Sequence, residues 1–461
     1  MKNHRCLWIF SATVALALLS GCVGSDPGCG THCSPHESTW TWVSGANTIR
    51  QAGIYGTQGT ADPSNVPGGR QFAVSWTDKS GNLWLFGGNG VDAIVGYLND
   101  LWKFDGTNWT WVKGSTNGNA GGVYGTQGVP SPANTPGGRN SPVTWVDGSG
   151  SLWLFGGFGA DSMGTGSELN DLWKFDGTNW TWVGGSSVGN QAGLYGTKGT
   201  ASPSNVPGAR DSSVTWADAT GNLWLFGGFG VDSVGTVGFL NDLWKFDGSN
   251  WTWVNGADIV SQSGSYGTKG TPSPSNAPGA RFSAVSWTDK SGNLWLFGGG
   301  GFDSVGTRNL LNDLWKFDGA NWTWVGGSSL ADQPGVYGTK GTTALSNVPG
   351  ARDYMAASAD SSGNVWLLGG AGFDSTGASG GLNDLWKFDG ANWTWVGGSN
   401  GHDQPGVYGT QRTASASNSP GGRLGFVSWS DKSGNFWLFG GGGDDSGGVL
   451  GFVNDLWEFK P

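Results

Sequence analysis

The sequence predicts an all-β protein, a six-bladed β-propeller of four-stranded antiparallel blades, and three observations predict it. First, the tetrad Asn-Asp-Leu-Trp opens at Asn99, Asn170, Asn241, Asn312, Asn383 and Asn454, a fixed period of 71 residues. A period this long signals a repeat architecture, so the 461 residues form one repeated body rather than two or three ordinary domains. Second, Gly 88 and Trp 30 are far above ordinary usage while charged residues are only 13%. Glycine serves tight turns and tryptophan supplies large buried area in short strands. Third, each unit holds four strand-like segments separated by turn signals.

The first segment follows Pro-Gly-Gly-Arg or Pro-Gly-Ala-Arg and alternates, with Phe72, Val74 and Trp76 on one face and Ala73 and Ser75 on the other. A tight turn such as Asp78 to Asn82 reverses the chain into the second strand, Asn-Leu-Trp-Leu-Phe-Gly-Gly. That strand is apolar on both faces, as one covered on both sides should be. The third strand is Asp-Leu-Trp-Lys-Phe-Asp. The turn Asp-Gly-Thr-Asn or a close variant leads into the fourth, Trp-Thr-Trp-Val, whose tryptophans at i and i+2 share a face. One such sheet leaves two apolar faces uncovered, so sheets must stack face to face, and a ring of six leaves no end exposed.

Closure is written into the termini. Trp-Thr-Trp-Val begins at Trp40, Trp109, Trp180, Trp251, Trp322 and Trp393, yet the last unit ends at Glu458-Phe459-Lys460-Pro461 without it. The copy at Trp40 to Val43 is therefore the missing outer strand of the last blade, and residues 39–461 make six complete blades.

The glycine doublets after strand two (Gly87-Gly88, Gly156-Gly157, Gly227-Gly228, Gly298-Gly299, Gly369-Gly370 and Gly440-Gly441), the aromatics of strand three and the tryptophans of strand four resemble kelch repeats. That resemblance, to the galactose-oxidase-like kelch superfamily, implies propeller blades. The units depart from it in length, 71 residues against about 50. The surplus lies mainly between strands four and one. Loops after strands two and four leave from one face, so that face is expected to carry a thick collar, and the other face only tight turns.

Residues 1–21 read as a lipoprotein signal peptide: Lys2 and Arg5 precede an apolar run from Leu7 to Leu19. Leu19-Ser20-Gly21-Cys22 resembles a bacterial lipobox, which implies acylation of Cys22 and an anchor in the membrane by lipid burial. Val23 after the cysteine implies, by the same resemblance, the outer membrane or cell surface. Residues 22–38 form a Gly, Ser, Pro and Asp-rich tether. Within it Cys29 and Cys33 are disulfide candidates, with a metal site shared with His32 and His36 as the alternative. A net charge of −10 with no basic run argues against a nucleic-acid partner.

Two rings of charge are candidate sites. Asp92, Asp161, Asp232, Asp303, Asp374 and Asp445 lie four residues past the glycine doublets and could hold calcium, or could cap their own loops. Arg70, Arg139, Arg210, Arg281, Arg352 and Arg423 could line a funnel and grip a ligand through planar forks, or serve the framework. Tyr55, Tyr124, Tyr195, Tyr266, Tyr337 and Tyr408 are read as packing residues that pin the long loops, with stacking on sugars as the alternative, and the strand tryptophans as interblade core. Ser358 stands where Trp76, Trp145, Trp216, Trp287 and Trp429 stand in the other units, leaving open a pocket or a filling by Tyr354 or Met355.

The resemblance raises copper radical oxidase chemistry, but the propeller has no cysteine and His402 is its one histidine. The expectation is a surface-anchored, non-enzymatic propeller that presents its collar to a glycan or protein partner. The alternatives are a sugar-active enzyme of mutarotase type and a calcium-stabilised structural protein of the envelope.

Overall fold

The computed structural model describes residues 38–461 apart from 92–94, 219 and 361. The expected signal peptide, the tether with Cys22, Cys29 and Cys33, and Asp92 lie outside the described residues. The described chain is all-β, and its six repeated antiparallel sheets are the blades of the expected propeller.

Blade 3 shows the plan. From the channel outward it runs Arg210–Asp211 and Val214–Ala217, then Leu223–Val231, Val237–Phe246 and Trp251–Asn255. Leu225 pairs with Trp244 and Trp244 with Trp253, so one row of large side chains crosses three strands. These rows stack on the next blade. Val214, Trp216, Trp224, Phe226 and Leu243 of blade 3 pack with Leu294, Leu296, Trp315 and Phe317 of blade 4. Each fully buried ring or branched chain contributes about 2–3 kcal/mol by leaving water.

Two details differ from the sequence reading. Blade 6 alone ends its strand at the glycine doublet, after Phe439; in the other five blades the doublet does not end the second strand. It makes a β-bulge within it, and the strand continues to Val231 against Val237. Gly227 and Gly228 adopt φ of 63° and 103°. A Cβ on Gly227 would stand 2.8 Å from the Arg281 carbonyl oxygen, so both backbone conformation and close approach require glycine. The inner strand is also broken. Phe72, Ser141, Ser212, Ser283, Tyr354 and Gly425 all take the left-handed conformation at the break. Each donates its backbone N–H to the equivalent carbonyl of the preceding blade. The ring closes from Phe72 to Gly425 at 2.6 Å, and its other members include Ser212 to Ser141 at 2.9 Å and Gly425 to Tyr354 at 2.9 Å.

The long loop between strands four and one does more than build a collar. Its tip runs beside the outer strand of its own blade: Gly199 N–H donates to the Trp253 carbonyl at 2.7 Å, and Asn205 Nδ2 to the Trp251 carbonyl at 3.0 Å. The loop thereby satisfies an edge that would otherwise invite strand addition.

Blade 6 closes as expected, with Trp40 paired to Phe459 and Trp42 to Trp457. Trp40 packs on Phe436, Trp457 and Phe459 with centroids 6.4, 6.3 and 5.0 Å away. Trp40→Ala is expected to cost about 3–5 kcal/mol, read from the midpoint of urea unfolding. A loss under about 1 kcal/mol would mean that the terminal strand does not hold the ring closed.

Candidate functional site at the collar-face mouth of the channel

The arginine ring is buried within the blades, which corrects the expectation that it lines a funnel. Arg210 donates from Nε to the Gly208 carbonyl at 2.9 Å and from Nη1 to the Gly227 carbonyl at 3.1 Å. Its fork closes on Asp242, Nη1 to Oδ1 at 2.7 Å and Nη2 to Oδ2 at 2.8 Å. Asp242 Oδ2 also accepts from the Tyr195 hydroxyl at 2.6 Å and from Trp244 Nε1 at 2.7 Å. The same pairing joins Arg70 to Asp100, Arg139 to Asp171, Arg281 to Asp313, Arg352 to Asp384 and Arg423 to Asp455. All six arginine side chains are at most 1% exposed, so their charge is spent on the Asp of Asn-Asp-Leu-Trp. The tyrosines are packing residues as expected. Tyr195 lies 4.8 Å from the Trp244 ring and 5.2 Å from that of Trp253, and burial pushes its hydroxyl far above the usual phenol range.

The five described members of the second ring cap loops. Asp232 Oδ1 accepts from the N–H groups of Val234 at 3.0 Å and Thr236 at 2.8 Å, and Oδ2 accepts from Val260 N–H at 3.2 Å. Asp161 and Asp303 repeat the pattern with Gly189 and Ala331, and Asp445 caps Gly447 and Val449. In blade 5 the partner of Asp374 is His402, through Nδ1 at 2.8 Å. Among the described residues, no three His, Cys, Asp or Glu side chains gather where one ion could hold them.

What differs from blade to blade is the mouth of the channel. The residue after each buried arginine is Gln71, Asn140, Asp211, Phe282, Asp353 or Leu424. In blade 2, Asn140 pairs with Phe158 and Phe158 with Glu168, which puts all three in one row on one face of the sheet. In blade 3 the row is Asp211, Phe229 and Phe239. Aromatic rings close over the axis: Tyr354 of blade 5 meets Phe72 of blade 1 at 4.5 Å and Phe282 of blade 4 at 5.6 Å. Phe282 in turn stacks on Phe239 at 5.0 Å. A cavity of about 190 Å³ lies along these residues, lined by Phe72, Ser212, Ser283, Tyr354 and Gly425.

Three carboxyls stand here without a counter-ion. Glu168 and Asp353 are 5% and 7% exposed, and among the described residues no Lys, Arg or His pairs with either or with Asp211. Burial, reinforced by the neighbouring Asp211 carboxylate, pushes Glu168 up to about 9. Burial lifts Asp211 to about 6 against the pull of the Ser212 hydroxyl, and lifts Asp353 to about 7. Burial likewise raises Tyr354 to about 12, with the Ser283 hydroxyl pulling it down and Asp211 and Asp353 pushing it up. Groups shifted in this way, gathered at one opening, are the usual material of functional sites.

Sequence reasoning passed over Asp211, Asp353 and Tyr354 as a site because they occur at positions that do not repeat. The signal was present as variation in the column after the arginine, inside an otherwise constant framework. Glu168 did fall within the variable stretch Ser162 to Leu169. The missing ring at Ser358 is replaced by neither candidate. Tyr354 lies in the channel, Met355 joins the core shared by blades 4 and 5, and Ser358 Oγ meets Ser430 Oγ at 2.7 Å.

Asp242→Asn is expected to destabilise by about 3–5 kcal/mol, because it strands the buried Arg210 charge. Asp232→Asn should cost only about 1 kcal/mol, equally with calcium and with chelator, by calorimetry. A calcium-dependent loss would restore the ring as a metal site. The fold favours the protonated form of the mouth carboxyls. Their stabilisation is therefore present below the ordinary carboxylate range and is lost as pH rises through about 6 for Asp211, 7 for Asp353 and 9 for Glu168. Urea midpoints from acid to alkaline pH should show this decline, and Glu168→Gln should flatten its upper part. Parallel curves for the two proteins would contradict the assignment.

No family model matches the chain, and no curated protein matches it at the level of sequence. Among solved structures it is similar to YjhT, at 14% identity over 85% of this chain and 95% of that one with a TM-score of 0.49. It is similar to a fungal alcohol oxidase of the AA5 family in complex with copper, at 14% identity, 89% and 77% coverage and a TM-score of 0.45. A protein of unknown function from Bacteroides thetaiotaomicron aligns at 9% identity, 92% and 75% coverage and a TM-score of 0.46. These likenesses are of fold alone.

Proposed function

We propose that this chain is a lipid-anchored, non-enzymatic binding propeller of the bacterial cell envelope, and that it takes a glycan or protein partner at the collar-face mouth of its channel. The observation that carries this reading is the contrast between a framework repeated six times and a mouth that differs in every blade but two. Repeated charges are consumed inside the blades, whereas Glu168, Asp211, Asp353 and Tyr354 occur once each in their columns or nearly so.

Thr39 pairs with Lys460, and each outer strand starts just after a tight turn. The described chain therefore begins on the tight-turn face, opposite the collar.

A second reading, a sugar-active enzyme, is favoured by the raised Glu168 and Asp211 carboxyls, since a carboxyl held protonated near neutral pH can serve as a general acid. Copper radical chemistry is disfavoured by the residues themselves. The propeller carries no cysteine, and His402 caps Asp374.

The test is capture of partners from a glycan panel and from envelope fractions. The unaltered protein should retain a partner, and Asp211→Asn with Asp353→Asn should lose it. Lys290→Ala on the opposite face should behave as the unaltered protein. A blank result, or equal capture by the mouth variant, would overturn the reading. Turnover of a captured sugar would favour the enzyme.

A further inference from the structure

We infer that Glu168 and Asp211 form a binding site for a primary ammonium group at the mouth of the channel. The inference rests on the binding reading above and specifies its ligand chemistry. Glu168 lies in the third strand of blade 2 (Gly166–Phe175) and Asp211 in the inner strand of blade 3 (Arg210–Asp211), and these blades stack on one another. The same two positions one blade on are held by Phe239 and Phe282, which stack at 5.0 Å, so the repeat sets Glu168 beside Asp211.

Unsatisfied acceptors are the first argument. Glu168 is 5% exposed, and its Oε2 has no hydrogen-bond partner among the described residues. Asn140, in the same cross-strand row, has an equally buried and unpartnered Oδ1. A buried oxygen without a donor costs about 1–3 kcal/mol. Here two of them flank one phenyl ring, that of Phe158, beside a third acceptor at Asp211. Among the described residues no Lys, Arg or His forms an ion pair with either carboxyl. Arg139 and Arg210, the nearest in sequence, are closed on Asp171 and Asp242.

The class of cation follows from the donor set. Calcium takes six to eight oxygens and is usually built from several carboxylates, whereas this site offers two carboxyls. A guanidinium asks for a planar bidentate partner. A primary ammonium is compact, with three N–H donors and no acceptor, which suits the two carboxyl groups. Its alkyl stem finds an apolar wall in Phe158 and in Tyr97, whose ring lies 5.5 Å away.

Binding is linked to protons. The Glu168 carboxyl faces Asp211, and Asp211 in turn faces the Ser212 hydroxyl and the Tyr354 phenol, with Asp353 beyond it. At neutral pH a cation entering the pair displaces a proton, so affinity rises with pH until Glu168 is ionised. A side chain that only packs would show no such release.

The experiment is titration calorimetry of the full-length protein with n-butylammonium chloride at pH 7.5, in two buffers of different ionisation enthalpy. Tetramethylammonium chloride and calcium chloride serve as comparison probes. We expect saturable one-to-one binding of butylammonium with a buffer-dependent heat, at least tenfold weakened in Glu168→Gln and in Asp211→Asn and unchanged in Glu458→Gln. Tetramethylammonium, which lacks N–H donors, should bind at least tenfold more weakly. No saturable heat with butylammonium, or equal binding by Glu168→Gln, overturns the inference. Calcium binding in place of butylammonium also overturns it and makes the pair a metal site. A blank titration alongside successful partner capture would remove the ammonium class alone, whereas failure of both removes the mouth as a binding site.

Discussion

One buried constellation organises every blade: an arginine whose fork closes on the Asp of Asn-Asp-Leu-Trp, with a tyrosine and a tryptophan donating to the same carboxylate. It joins four parts of the chain that are distant in sequence. The arginine belongs to the inner strand, the aspartate and tryptophan to the third, and the tyrosine to the long loop; the tyrosine ring leans on Trp253 of the outer strand. Buried ion pairs add little net stability, because desolvation offsets their attraction. Their leverage is the cost of any alternative pairing, which leaves a bare charge in a dry interior. The constellation therefore fixes which loop closes over which strand.

The remaining architecture follows from stacking and closure. Once each blade is fixed, its two apolar faces find the neighbouring blades, and paired tryptophans such as Trp287 and Trp295 stack at 5.9 Å across strands. Around the axis, left-handed residues from Phe72 to Gly425 pass one backbone hydrogen bond to the next in a closed ring. The ring holds the inner strands at a set radius. Side chains at these positions then point into a narrow bore, where a phenyl and a phenol fill it.

Much of this was legible in the sequence. The 71-residue period, the four strands and the terminal strand that completes blade 6 all follow from motif spacing, because closure leaves a countable deficit at one end and surplus at the other. The bulge at Gly227-Gly228 was not legible, since two glycines mark a strand end and a bulge equally well. The arginines misled for a physical reason. Pattern cannot tell an exposed charge from a buried one when its partner lies about thirty residues away in another strand, as Asp242 does from Arg210. The mouth carboxyls escaped because repeat analysis weights what recurs. Asp211 and Glu168 matter by being exceptions, brought together only when blades 2 and 3 stack.

The resulting division of labour is simple. Repeated polar residues are spent inward on holding blades and capping loops, and the mouth carries a few singular carboxyls that, among the described residues, have no counter-ion. The most direct test is infrared difference spectroscopy of carboxyl groups in the unaltered protein against Glu168→Gln at neutral pH. The account predicts a protonated carboxyl stretch that disappears with the substitution and moves to the carboxylate region as pH rises through about 9. A spectrum with no protonated carboxyl at neutral pH would mean that the mouth acids are solvated or paired, and would contradict the account at its centre.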